Sequence, residues 1–234
     1  MRGTTCEDAV LDLIRNRLRQ GFRTLAFPKG PAPEFPERFR GRPAGGSAPL
    51  DLGTCLFSPE EAASYTRDHR MAVSRRDARV TATGELELAR ALDEKSRRLF
   101  RRSLRLRSVA AGSCGGCEAE LVALGNVVFD LARFGVQFVA SPRHADGLVI
   151  TGAVNANMRG ALMKTYEAVP APKIVLAVGA CALSGGPFRG SGEVAGGVPE
   201  EIPVDLWVPG CPPHPLTILD GVLRLLGTIE NGAR

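Results

Sequence analysis

Six cysteines are present, and four of them stand where glycine or proline bends the chain. The stretches are Ser113-Cys114-Gly115-Gly116-Cys117, Gly179-Ala180-Cys181 and Gly210-Cys211-Pro212-Pro213. Soft thiolates in loops of this kind hold iron–sulfur clusters, and four of them supply one corner ligand to each iron of a cubane. Three other chemistries compete for the same residues. A free thiol taken alone is usually an ordinary buried small hydrophobe. A four-thiolate set also suits zinc, although structural zinc sites usually pair two Cys-x-x-Cys knuckles, and only Cys114 to Cys117 makes one here. A thioredoxin-like redox pair would use Cys114 and Cys117 and leave Cys181 and Cys211 without a role. The co-occurrence of all four in bent loops favours a metal centre, with a single iron–sulfur cluster the leading reading.

Positioning these thiols requires elements that end near one another. Strand patterns cover Leu104 to Ala110, Val136 to Ala140, Leu148 to Thr151, Ile174 to Val178 and Val204 to Val208. Helical patterns cover Glu118 to Phe134, with Leu121, Leu124, Val128 and Leu131 on one face, then Met158 to Val169 and Pro215 to Leu226. Proline suits the first turn of the last helix. Strands that alternate with helices predict an α/β fold, a parallel sheet with helices on both faces. Ligands in such sheets bind beyond the carboxyl ends of the strands, and each of the four cysteines follows a strand end.

The first hundred residues have a different texture. Val10, Leu11, Leu13, Ile14 and Leu18 predict a short amphipathic helix with basic residues opposite. A proline-rich stretch from Phe27-Pro28 to Pro43 disfavours helix and predicts a strap laid over another surface. From Asp51 to Val80 the pattern is weak, and a polar helix-like run spans Gly84 to Phe100. The expected division is therefore 1–50 as a helix and docking strap, 51–100 as an irregular segment and 101–234 as the cysteine-bearing domain.

Composition excludes several classes. With 234 residues and 44% apolar content, the chain has enough apolar surface for a substantial core. No apolar run reaches the ~20 residues of a membrane span, and no secretory signal opens the chain, so a cytoplasmic protein without a transmembrane segment of its own is expected. The formal charge of +5 gathers in arginines near the N-terminus and between Arg97 and Arg107. Without interleaved aromatics or a binding module, that cluster points to partner subunits or lipid headgroups, not nucleic acid.

Four motifs in order, Gly112-Ser113-Cys114-Gly115-Gly116-Cys117-Glu118, Ala140-Ser141-Pro142-Arg143-His144-Ala145-Asp146, Val178-Gly179-Ala180-Cys181-Ala182 and Val208-Pro209-Gly210-Cys211-Pro212-Pro213, carry a resemblance. From Leu104 to Gly227 the chain resembles the cluster-bearing small subunit shared by membrane-bound nickel–iron hydrogenases of the formate hydrogenlyase type and respiratory complex I. The resemblance implies a flavodoxin-like domain with one 4Fe-4S cluster on Cys114, Cys117, Cys181 and Cys211. It also implies an oxidoreductase subunit without catalytic side chains of its own, and a catalytic large subunit of the hydrogenase or complex I 49 kDa type as partner. Ferredoxin-type and membrane subunits complete the implied complex, peripheral on the cytoplasmic face of the inner membrane. The complex I branch usually has adjacent cysteines in the first loop; the spacing of Cys114 and Cys117 resembles the hydrogenase branch.

Gly21 to Phe27 and Arg38-Phe39-Arg40-Gly41-Arg42-Pro43 resemble instead the opening of the ferredoxin-type subunit of the same complexes. The ligand frame expected from Cys55 then reads Ser58, Glu61 and Tyr65, so a degenerate ferredoxin-like segment is expected, with Cys6 and Cys55 as plain thiols. Around the centre, Glu118 is read either as a helix-dipole partner or as a proton relay. Arg143 is read either as a hydrogen-bond donor toward the cluster or as a salt-bridge partner of Asp146. His144 reads as a surface histidine.

Overall fold

A computed structural model describes residues 6–21, 23–30, 33–45, 50–55, 64–100 and 102–229. In chain order the elements are α1 (Cys6–Gln20), β1 (Leu50–Asp51), α2 (Leu52–Cys55), β2 (Arg79–Val80), α3 (Glu94–Phe100), β3 (Leu104–Ala110) and α4 (Gly116–Ala123). There follow β4 (Val136–Phe138), β5 (Gly147–Thr151), α5 (Ala156–Ala168), β6 (Ile174–Val178), α6 (Ala180–Ser184), β7 (Leu206–Val208) and α7 (Pro215–Leu225). Short 3-10 turns occupy Leu131–Phe134, Pro142–His144 and Gly186–Phe188.

Strands β3 to β7 form a parallel sheet in the order β4-β3-β5-β6-β7, the flavodoxin-like order expected from the resemblance. Every residue of β5 and β6 is buried, as central strands covered on both faces must be. Alternation sends successive residues into two cores. Val149, Leu176, Val178 and Val208 pack on one face with Leu121, Leu124 and α7, while Leu148, Ile150, Val175 and Ala177 pack on the other with Leu162 of α5.

Register then decides where the loops begin. Ala110 pairs with Thr151, Thr151 with Val178 and Val178 with Val208. Four strand ends therefore make one row across the sheet, and the cysteine loops leave from that row.

The first hundred residues finish both cores. Phe35 of the proline-rich strap is buried against α7, and Leu25, Phe27 and Phe39 pack beside it. Met71, Val73 and Val80 enter the opposite core with Leu52. Val73 and Trp207 exchange both backbone hydrogen bonds at 2.9 Å, which covers the exposed side of β7. The strap thus lies over this chain's own core, and residues 50–100 build no separate core among the described residues. In the expected ferredoxin frame, positions 58 and 61 and the Cys6 and Cys55 side chains lie outside the described residues.

Because the strap covers the outer side of α7, that helix is buried all round. Its charges survive there as a pair: Arg224 Nε donates to Asp220 Oδ2 at 2.8 Å, and both side chains are 2% exposed.

Two expected helices are shorter than their patterns. The helix predicted over Glu118 to Phe134 ends at Ala123. There the Asn126 carboxamide oxygen accepts hydrogen bonds from the Val128 and Phe129 amides at 2.8 and 3.2 Å and turns the chain. Leu131 returns to donate its amide to the Leu124 carbonyl, so the apolar spacing survives without a continuous helix. Of the run Gly84 to Phe100, only Glu94 onward is helical. The preceding residues pair outward instead, Ala89 with the Ala72 carbonyl at 2.7 Å and Leu92 with the Leu225 carbonyl at 2.9 Å.

Candidate metal centre

Three loops from the row of strand ends bring the expected thiols to one edge. Cys114 and Cys117 follow β3, with Cys117 in the first turn of α4; Cys181 lies in the first turn of α6 after β6; Cys211 follows β7. Cys117 is buried, Cys181 half-buried, and Cys114 and Cys211 exposed, so the set spans from the interior to an open surface. Hydrogen bonds lace two of the loops together: the Gly179 amide donates to Val208 at 2.8 Å and the Ala180 amide to Gly210 at 2.7 Å.

The thiols affect one another's ionisation. Burial pushes Cys117 up to about 12, reinforced by the charges of Glu118, Cys181, Cys114 and Cys211. Burial likewise pushes Cys181 up to about 11, with Cys211, Cys114 and Glu118 adding to the effect. Cys211 is raised by burial and by Cys114, against the opposing charge of Arg40. A dithiol enzyme needs a thiolate near neutral pH, and Cys117 has its ionisation moved the other way. An array whose thiolates repel one another is suited to a cationic group that neutralises them, since metal ligation requires deprotonated sulfur.

Two glycines make room for the sulfurs. At Gly179, φ is +96° and an added Cβ would stand 2.5 Å from Cys117 Sγ; at Gly186, with φ +55°, it would stand 2.7 Å from Cys181 Sγ. Either substitution is strained by its φ and pressed against a candidate ligand. No three His, Cys, Asp or Glu side chains among the described residues gather as a ligand set for one metal ion. A cubane differs in this respect, because each thiolate binds its own iron and the sulfurs need not converge on a point. The four-thiol donor set and its glycine-cleared sulfurs therefore fit an iron–sulfur cluster.

Glu118 is tied into the same edge. The Ser113 hydroxyl donates to its Oε1 at 2.6 Å, and Thr151 Oγ1 also donates to it. Glu118 Oε2 is buried and unpaired. The carboxylate thus braces the first ligand loop against the end of β5. Ser113 and Thr151 were not singled out from sequence, since a serine in a loop and a threonine closing an apolar strand carry no local signal.

Arg143 and His144 are not brought to the cysteines. Their turn is exposed and joins the end of β4 to the start of β5, where Phe138 and Gly147 both stand level with Leu106, short of the β3 end. Among the described residues no ion pair joins Arg143 to Asp146; the Asp146 carboxylate accepts the Arg105 amide at 2.7 Å instead.

A group invisible in local sequence lies beside the Cys211 loop. His214 caps α7, its Nδ1 accepting the Leu216 amide at 3.2 Å, and the edges of Phe35, Phe39 and Phe129 surround its ring at 5.2, 5.6 and 5.9 Å. Burial, with the nearby His69 charge, lowers its pKa to about 4.

Residues 114–225 match the family described as NADH ubiquinone oxidoreductase, 20 Kd subunit. The chain is 47% identical over 119 residues to an NADH-quinone oxidoreductase subunit of Heliobacterium modesticaldum, a match covering 50% of this chain and 68% of that one. It is 44% identical over 132 residues to formate hydrogenlyase subunit 7 of Escherichia coli, covering 56% of this chain but only 52% of that relative. Among solved structures, a chain of the membrane-bound sulfane sulfur reductase, described as an archaeal respiratory membrane complex, is similar with a TM-score of 0.51 and 34% identity. That match covers 60% of this chain and 78% of the other.

Proposed function

The chain belongs to the family of the 20 kDa subunit of NADH ubiquinone oxidoreductase, and from that premise we propose that it carries electrons within a multi-subunit oxidoreductase. Its relatives are complex I-like and hydrogenase-like subunits, and the electron-transfer role is common to both readings. The cofactor we propose is one 4Fe-4S cluster on Cys114, Cys117, Cys181 and Cys211. The observation that carries this reading is the register that aligns Ala110, Val178 and Val208, from which three loops deliver four mutually interacting thiols to one edge.

When bound, the cluster supplies one-electron chemistry; the chain's side chains make and break no bonds. Cys117 anchors the inner corner in the core, and Glu118 holds the first loop against Thr151. The exposed Cys114 and Cys211 mark the side from which an electron leaves for the active site of a large subunit. Of the two branches, the two-glycine spacing between Cys114 and Cys117 favours a hydrogenase-like partner. We place the chain on the cytoplasmic face of a membrane complex beside ferredoxin-type and membrane subunits. No helix among the described residues is long and apolar enough to cross a membrane.

The test is metal content. Anaerobically prepared protein should hold about four irons and about four acid-labile sulfides per chain, and alanine at any one of the four cysteines should abolish most of both. Zinc at one ion per chain without iron, or an intact cluster in Cys211→Ala, would overturn the assignment.

A further inference from the structure

The proline-rich strap does more than cover α7. Phe35 and Phe39 stack with their centroids 4.1 Å apart, and both present edges to His214, three residues beyond Cys211. The next residue along the strap is Arg40. Its guanidinium lies over the Tyr65 ring at 5.6 Å from the centroid, a contact that restrains a long side chain without neutralising its charge.

The backbone behind it is fixed as well. The Gly41 amide donates to Thr66 at 3.1 Å, the Arg42 amide to Asp68 at 2.8 Å, and Thr66 returns a bond to Arg42 at 2.9 Å. Pro43 bridges Tyr65 itself. An added Cβ at Gly41 would meet the Asp68 carbonyl at 2.4 Å, so the two segments are pressed together immediately after Arg40. Among the described residues no carboxylate pairs with Arg40, whereas neighbouring Arg42 has Asp68 at 3.2 Å.

We infer that Arg40 is an electrostatic positioning residue of the centre: the strap holds its positive charge beside the Cys211 loop, where it favours the more reduced state of the bound cluster. This rests on the cluster reading above. The same charge is the one that opposes the upward shift of the Cys211 thiol, which places its field at that ligand. Four thiolates around a cubane give a net anion, and one added electron increases that negative charge. A fixed cation stabilises the reduced form more than the oxidised one and raises the reduction potential. Two distant parts of the chain would thereby be coupled, an N-terminal strap setting the potential of a centre whose ligands begin at Cys114.

The experiment is a potentiometric titration of the anaerobically reconstituted full chain, followed by the spectrum of the reduced cluster, with iron counted in every sample. Arg40→Gln should lower the midpoint potential, Arg40→Glu should lower it by about twice as much because the charge change doubles, and Arg40→Lys should stay near the parent. Raising the salt concentration should shrink these differences, since Arg40 is exposed. Arg38→Gln removes an equal charge two residues away and should shift the potential less. Full iron with an unchanged potential in Arg40→Glu would overturn the inference, as would equal shifts in Arg38→Gln and Arg40→Gln. Absence of iron from the parent protein would instead overturn the cluster reading, and the role of Arg40 with it.

Discussion

From Leu104 to Leu225 the chain is a regular alternation of strands and helices, and its chemistry sits where strands end. From Cys6 to Phe100 most of the backbone is irregular, with two short strands and three helices, of which only α1 exceeds two turns. Yet the irregular half supplies Phe35 to the core on one sheet face and Met71, Val73 and Val80 to the core on the other. The family match begins at residue 114, so it covers the ligands and omits the segments that close the cores around them. Regularity therefore marks where the centre is built, while the irregular segments determine how far it is protected from water.

Phe35→Ala would test this comparison most severely. The ring is 8% exposed and stacked on Phe39, and its loss should destabilise the folded chain by about 3–5 kcal/mol, as large-to-small changes in helix and strand cores do. A denaturant midpoint unchanged by this substitution would make the strap a passive covering.

Stability against pH probes the same contact from the histidine side. Burial keeps His214 neutral in the folded chain down to about pH 4, whereas an unfolded histidine takes up its proton near pH 6.5. The stabilising difference is therefore complete above pH 6.5 and is lost as the pH falls toward 4. Its full extent is up to about 3 kcal/mol. Burial lowers His69 in the same direction, against the opposing charges of Asp220 and Asp68. Unfolding free energies measured from pH 7 to 5 should decline, and less steeply in His214→Asn, which keeps a capping side chain. Equal slopes would place His214 outside the strap's packing.

Within the regular half, Gly179→Ala should cost about 1–3 kcal/mol, because the methyl group is forced toward Cys117 Sγ at a positive φ. Thermal unfolding reports the cost, and iron content should fall in parallel. Full iron loading in this variant would show that the sulfur can move aside without losing its metal.

The smallest effect is expected at α1. Leu13 is 72% exposed and touches neither core, so Leu13→Gln should change the stability of the isolated chain by less than about 0.5 kcal/mol. A larger loss would show that α1 packs on the domain in solution.

Much of the regular half was legible. The bounds of β3 and β6 follow directly from their apolar runs, and α7 ends one residue before its pattern does. The overlong helix from Glu118 had a local cause that spacing concealed: Leu121, Leu124 and Leu131 are all buried, but Asn126 turns the backbone between them. The run before Glu94 failed differently, because its backbone hydrogen bonds go to Ala72 and Leu225, partners remote in sequence. At the site, the cysteines were readable through their glycines and prolines, whereas Arg143 was motif-adjacent yet stands level with Leu106, away from the ligand row.

Sequence alone determined which residues carry soft donors, where the chain bends beside them, and that strands alternate with helices, since each of these is a property of side-chain type and short-range spacing. Tertiary structure decided the rest: the register that aligns Ala110, Thr151, Val178 and Val208, the Ser113–Glu118–Thr151 brace, and the strap that carries Phe35 and Arg40 to the Cys211 loop. These depend on which distant surfaces exclude water from one another and which polar groups then find partners, and no local pattern encodes that choice.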